Sequence, residues 1–282
     1  MQNVHVTDYR LIIIGAGPAG LSAAARAAQL DVENGLTSPS YVLLESTSEI
    51  AATIQGYQKG KHVMDEPSFL DLRSPMRFAL GTREDVLGNW GLDAQRHGLS
   101  IQYDSEVTGI SGASGSFTVT LRGSEPLRCA SVILACGTQG NLRLIGVEND
   151  RPSAFVQYSL RDASEFSDKV VVVIGAGDSA IENALALAPH NDVHIVNRRS
   201  EFSRAKAGNL NAVLMAINSP DTSLDCHYES AVTAIELPGS PGSQGKLVLT
   251  TPQGERSIDC DLIIARLGSS PPRAFLEKCG LT

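Results

Sequence analysis

The sequence predicts an α/β chain in which one structural plan is used twice, and two observations carry that prediction. A short apolar run at residues 11–14 (Leu-Ile-Ile-Ile) leads into Gly15-Ala-Gly-Pro-Ala-Gly20 and then an alanine-rich stretch over residues 21–30. A second run, at residues 170–174 (Val-Val-Val-Val-Ile), leads into Gly175-Ala-Gly-Asp-Ser-Ala180 and a helical stretch over residues 181–188, closed by Pro189. Strands buried on both faces of a parallel sheet read as continuous apolar runs, and glycine-rich turns mark the passage from such a strand to a helix.

The later elements repeat as well. Residues 41–45 and 192–196 are both short apolar strands. Each half then shows a hairpin pattern, with residues 106–110 turning into 117–121 and residues 231–235 turning into 246–250. Each half closes on an apolar strand running into glycine, at Gly137 and at Gly268. One glycine-rich turn is weak evidence, but two in the same strand–turn–helix context define a repeat. The expected fold is two Rossmann-like dinucleotide-binding domains, each with an inserted β-meander. Domain limits are expected at 1–160 and 161–270, with 271–282 beginning a return to the first domain.

The two turns differ in chemistry. In the first, Gly15 permits the tight turn, Gly17 lets backbone approach a pyrophosphate, and Gly20 allows close helix–strand packing. Pro18 and Ala19 open the helix, whose unpaired N–H groups and positive dipole end favour a phosphate. Glu45 ends the second strand and can accept hydrogen bonds from ribose hydroxyls, while repelling a 2′-phosphate. FAD or NAD suits such a site. In the second, Gly175, Gly177, Asp178, Ser179 and Ala180 form the turn, and Asn197 stands where an acid would be expected. Arg198 and Arg199 follow at once, with Arg204 and Lys206 soon after. Guanidinium groups bind phosphate through paired, charge-assisted hydrogen bonds, so this half is expected to take NADPH.

Bulk properties narrow the field. The 282 residues are 42% hydrophobic and 19% charged, which suits a well-packed chain. A formal net charge of −8 without a basic run argues against nucleic acid. No apolar stretch has membrane-spanning length, and the polar residues 1–10 carry no signal pattern. The five cysteines, without a Cys-x-x-Cys pair, read as reduced cytoplasmic thiols. No histidine spacing suggests a metal site. His194 reads as packing or surface, and Cys136 as a packing residue.

Those residues together resemble the two-dinucleotide-binding-domain flavoproteins, the pyridine nucleotide-disulfide oxidoreductase class. The resemblance spans essentially the whole chain. It rests on the two glycine turns, Ile133-Leu-Ala-Cys-Gly137, Leu262-Ile-Ile-Ala-Arg-Leu-Gly-Ser-Ser-Pro271 and Asn197-Arg-Arg-Ser-Glu-Phe-Ser-Arg-Ala205. The last is similar to the NADPH-phosphate loop of thioredoxin reductases, with one extra residue before Arg204. The resemblance implies that FAD contacts Gly15, Gly17, Gly20, Glu45, Val107, Ala135 and Gly137. It implies that NADPH contacts Gly175, Gly177, Asp178, Ser179, Arg198, Arg199 and Gly268.

Two departures matter. Thioredoxin reductases place a Cys-x-x-Cys just before the second glycine turn, and residues 156–169 contain no cysteine. A thiolate is the nucleophile of disulfide exchange, so electrons cannot leave by that route. The segment Tyr158-Ser-Leu-Arg-Asp-Ala-Ser-Glu-Phe166 is closer to flavin monooxygenases and bacillithiol-disulfide reductase-like proteins. The class also has a C-terminal segment carrying a Gly-Asp that holds the flavin's ribityl chain, and this is expected to be missing from the chain. Residues 59–77 form an insertion unique to the first half and are expected to make a lid or partner surface.

The expected function is therefore that of an NADPH-dependent flavin oxidoreductase. Hydride would pass from NADPH to FAD and on to a small-molecule or protein electron acceptor, without a dithiol of the chain's own. A flavin-dependent monooxygenase and a non-catalytic nucleotide-sensing module are the alternatives. A homodimer is a candidate assembly.

Overall fold

The computed structural model describes residues 8–63, 74–138 and 141–281. Residues 64–73 of the expected lid, and most of the polar N-terminal lead-in, lie outside the described residues. The chain divides into two compact units. One comprises the residues up to Gly56, Gly60–Asn141 and the residues from Ser270, and the other Tyr57–Lys59 and Leu142–Ser269.

The first unit opens with β1 (Tyr9–Ile14), α1 (Pro18–Glu33) and β2 (Tyr41–Leu44). A short helix α2 (Ala52–Gln55) follows, then two-residue strands β3 (His62–Val63) and β4 (Gly81–Thr82), and α3 (Arg83–Arg96). The strands β5 (Ile101–Gln102), β6 (Val107–Ala113), β7 (Ser116–Leu121), β8 (Leu127–Leu134) and β9 (Asn141–Leu142) come next. Helix α1 starts earlier than the apolar pattern suggested, because Pro18 at its first turn has the φ a helix needs and no N–H to lose. It buries Gly20, Leu21, Ala24 and Ala25, one stripe at helical spacing. Helix α3 begins on a reciprocal cap. The Thr82 side chain accepts from the Asp85 N–H, and the Asp85 carboxylate accepts from the Thr82 N–H.

The main sheet of this unit has the order β5-β2-β1-β8-β7-β6. β1 pairs in parallel with both β2 and β8, and β8 also pairs antiparallel with β7. The expected meander is thus no separate layer here, because β8 serves both as its last strand and as the central neighbour of β1. Ile12, Ile14, Val42, Leu44, Val119, Leu121 and Cys129 fill one face.

The second unit contains β10 (Val156–Gln157), a 3-10 turn (Ala163–Glu165), β11 (Val170–Ile174), α4 (Asp178–Leu187) and β12 (Asp192–Val196). Helix α5 (Ala207–Ile217) follows, then β13 (Leu224–His227), β14 (Ala231–Glu236), β15 (Gly245–Thr251), β16 (Gly254–Cys260), β17 (Leu262–Ala265) and β18 (Ser269–Ser270). A terminal helix α6 (Arg273–Lys278) belongs to the first unit.

The sheet order β10-β17-β11-β12-β13 is parallel at every pairing. Helices α4 and α5 cover the face carrying Val171, Val173, Val193 and Ile195. The opposite face carries Val172, Ile174, Val196 and Ile263, and it packs on Ile235, Leu247, Leu249 and Ile258 of a separate sheet, β14-β15-β16. The four-valine run is uniformly apolar because both of its faces are covered.

Candidate functional site

In the first unit, Gly15 leaves β1 with φ +100°, a left-handed conformation that favours glycine. A Cβ there would also stand 2.6 Å from the Ala135 carbonyl oxygen, so Ala135 backs the turn directly. A Cβ on Gly20 would fall 1.8 Å from the Gly15 carbonyl oxygen, which bars any side chain at that position. Gly17, the residue before α1, is different. It is extended, and a Cβ on it would meet nothing within 4 Å. The open space over the helix N-terminus is thus bounded by a residue without a side chain, and Pro18 and Ala19 beside it are exposed.

Glu45 is 5% exposed and highly committed. Its Oε2 accepts from the Ala16 N–H at 2.8 Å. Its Oε1 accepts from the Thr47 N–H and from the hydroxyls of Ser46 and Thr47 at 3.0–3.1 Å. Each carboxylate oxygen offers about two acceptor positions, and Oε2 accepts only from Ala16 among the described residues, so it retains one. Glu45 therefore orients the glycine turn as well as presenting an acceptor, a role its position in sequence does not disclose. Gly137 follows Ala135 by two residues with φ +68°. Val107 starts β6, and Ser105 two residues earlier joins this segment to the Glu45 carbonyl by a 2.8 Å backbone bond.

In the second unit, Gly175 has φ +130°, and a Cβ on it would stand 2.6 Å from the Arg266 carbonyl oxygen. Gly177 precedes α4 and faces open space, as Gly17 does. The third position of this turn is Ala180, whose methyl lies 3.5 Å from that Gly175 Cβ. This turn is wider than the first and tolerates a side chain where Gly20 cannot. Asp178 heads α4, yet its Oδ1 accepts from the Lys206 N–H at 2.9 Å and from Asn209 at 2.8 Å. Its carboxylate therefore ties the start of α5 to the turn.

The basic loop is braced from below. Asn197 is 1% exposed, accepts from the Arg199 N–H and donates to the Glu201 carbonyl, both at 3.0 Å. Phe202 plugs the loop into the core against Tyr228. The side chains of Arg198, Arg199 and Arg204 are exposed, and among the described residues none forms an ion pair. Arg199 donates to the Ser203 hydroxyl at 2.6 Å. Gly268 matches Gly137 in place and in conformation, with φ +78°.

His194 has a partner that the pattern gave no hint of. Its Nδ1 lies 3.2 Å from Nε2 of His227, on the face toward β14–β16. Burial, with Arg256 and His194 adding to it, pushes the His227 pKa below the ordinary histidine value. Among the described residues no group of three His, Cys, Asp or Glu side chains could hold a metal, and no helix is long and apolar enough to cross a membrane.

Two glycine turns, each leaving a parallel strand and opening a helix toward unobstructed space, define a protein with two dinucleotide-binding folds. The chain belongs to the pyridine nucleotide-disulphide oxidoreductase family, whose model matches residues 12–282. It is 31% identical over 199 residues to a ferredoxin–NADP reductase of Lactiplantibacillus plantarum, a match covering 69% of this chain and 55% of that protein. It is 26% identical over 286 residues to the ferredoxin–NADP reductase of Granulibacter bethesdensis, covering 98% and 75%. The bacillithiol disulfide reductase of Staphylococcus aureus shares the fold, with a TM-score of 0.79 at 22% identity over 98% of this chain and 81% of that one.

Proposed function

We propose that the chain is an NADPH-dependent flavin oxidoreductase. The observation that carries this reading is the asymmetry of its two turns: an acid, Glu45, beside one and the exposed guanidinium groups of Arg198 and Arg199 beside the other. The domain expected at 1–160 takes the FAD role and that expected at 161–270 the NADPH role. Bound together, the two cofactors supply hydride transfer from nicotinamide to flavin and delivery of electrons onward.

The residues fit these groups. Gly17 and Gly177 keep the approach to each helix N-terminus clear, where a pyrophosphate gains the partial positive charge of α1 or α4. Gly15, Pro18, Ala19, Gly20, Ala135 and Gly137 shape the first cradle, and the free Oε2 acceptor of Glu45 serves a ribose hydroxyl. Val107 adds apolar contact. Gly175, Asp178, Ser179, Ala180 and Gly268 shape the second cradle, while Arg198, Arg199 and Arg204 offer a 2′-phosphate unsaturated donors.

No dithiol of the chain's own precedes the second turn, so the flavin passes its electrons to a small-molecule or protein acceptor. The ferredoxin–NADP reductases among the relatives make a small iron–sulfur protein the first to test. The cytoplasm suits five free thiols. Anaerobic mixing of the FAD-loaded chain with NADPH tests the reading. Bleaching of the flavin band near ~450 nm, faster with NADPH than with NADH, is expected. A flavin that stays oxidised under NADPH contradicts it.

A further inference from the structure

Arg266 follows β17 and is held against the second glycine turn by main chain on both sides. Its N–H donates to the Ile174 carbonyl at 2.7 Å, and its own carbonyl is the atom that a Cβ on Gly175 would strike. Its Nη1 donates to the Tyr158 carbonyl at 2.7 Å. Its Nε is buried and meets no acceptor among the described residues. Burial lowers the guanidinium's pKa, against which Tyr57 and Glu182 act electrostatically. A buried donor left without a partner costs stability, so it points to a partner that arrives later.

A second orphan lies on the neighbouring helix. Asn183 of α4 is 3% exposed and donates to Gln58 Oε1 at 2.6 Å, but its Oδ1 has no donor among the described residues. The strand order says which half of a dinucleotide Arg266 serves. A pyrophosphate at the head of α4 sends its two nucleosides to opposite sides of β11. Arg198 and Arg199 follow β12 and take the adenosine side. Arg266 follows β17, which lies on the other side of β11. That is the nicotinamide side. A buried donor left unpartnered there suits the carbonyl oxygen of a primary carboxamide.

We propose that Arg266 is a positioning residue for the nicotinamide half of the dinucleotide, its Nε–H serving the carboxamide oxygen. The role rests on the reading of this unit as the NADPH site. The test compares NADP+, 2′-phospho-ADP-ribose (which lacks the nicotinamide) and 2′,5′-ADP by calorimetry on the whole chain and on Arg266→Lys. The variant keeps the charge and loses the Nε–H donor. NADP+ affinity should fall about 10- to 100-fold in the variant, the range for a hydrogen bond to a charged group. Affinities for the other two probes should hold within about twofold, since neither carries the carboxamide. Equal loss on all three probes assigns Arg266 a purely structural role and overturns the proposal, as does unchanged NADP+ binding. Should Arg266→Lys fail to fold, wild type alone decides, since equal affinity for NADP+ and 2′-phospho-ADP-ribose also overturns it. A wild-type chain that binds none of the three removes the NADPH reading itself, and this role with it.

Discussion

Adding one methyl group at either of two glycines of the same turn should separate folding from cofactor binding. In Gly20→Ala the new Cβ would stand 1.8 Å from the Gly15 carbonyl oxygen and 3.3 Å from Leu43 Cδ1. The first neighbour is backbone and cannot rotate aside, so α1 must shift off β1. Overpacking of this kind costs about 1–3 kcal/mol. At roughly 2–4 °C per kcal/mol for a chain of this size, the melting temperature should fall by roughly 2–12 °C. In Gly17→Ala the new Cβ meets nothing within 4 Å, and φ −76° is ordinary for alanine. Losing glycine at a helix cap and restricting the unfolded chain nearly cancel, leaving stability within about 0.5 kcal/mol. The methyl instead occupies the approach to the helix N-terminus, and FAD affinity should drop about 10- to 100-fold, the same steric cost borne by the ligand. Melting followed by circular dichroism without added cofactor, and FAD titration by fluorescence quenching, read the two effects separately. A Gly17→Ala variant that binds FAD like wild type, or a Gly20→Ala variant that melts like wild type, would contradict this division of roles.

Other consequences follow from the same geometry. The pKa of His227 is depressed in the fold, so below the ordinary value near ~6.5 the unfolded chain binds a proton that the folded chain refuses. That stability is whole above ~6.5 and is lost as pH falls toward the folded pKa, with a slope of at most about 1.4 kcal/mol per pH unit. His227→Gln should flatten the slope in denaturant melts between pH 7.5 and 5.5, and an unchanged slope counts against a depressed His227 pKa. Burial pushes the thiols of Cys226 and Cys260 up to about 12. At pH 8 their thiolate fraction is about 10⁻⁴, so a disulfide reagent should leave both unmodified while the chain stays folded. Rapid modification of either would mean that its strand opens. Asp178→Ala removes the acceptor for the Lys206 N–H and Asn209, and should weaken 2′,5′-ADP binding about 3- to 10-fold with little effect on FAD.

Much of this was legible in the sequence because parallel strands and glycine turns leave strong marks. Continuous apolar runs gave β1, β11 and β12, and the paired turns gave the repeat. Other features depend on tertiary pairing, which carries no local signal. β8 is the end of a meander and the neighbour of β1 at once, so in the first half the meander shares the parallel strands' sheet, while in the second it forms its own. Glu45 was visible as an acid at a strand end, but not as the acceptor that holds Ala16, because those residues are 29 positions apart. Asp178 reads as a phosphate-loop residue, yet its carboxylate reaches to α5. Arg266 sits in an ordinary closing strand by pattern, and only the buried, unpartnered Nε–H distinguishes it. His194 and His227 are 33 residues apart and meet only because β12 and β13 pair in parallel.

In the proposed function, two separate dinucleotide sites with opposite phosphate chemistry share this chain. Calorimetric titration with FAD and 2′,5′-ADP, singly and together, on wild type, Glu45→Gln and Arg198→Ala/Arg199→Ala tests this arrangement. One site for each ligand, with no competition between them, is expected. Glu45→Gln should weaken only FAD, and the double arginine variant should weaken only 2′,5′-ADP, by about 10- to 100-fold for lost charge-assisted bonds. Competition between the two ligands, or a double arginine variant that binds 2′,5′-ADP as wild type does, would contradict it.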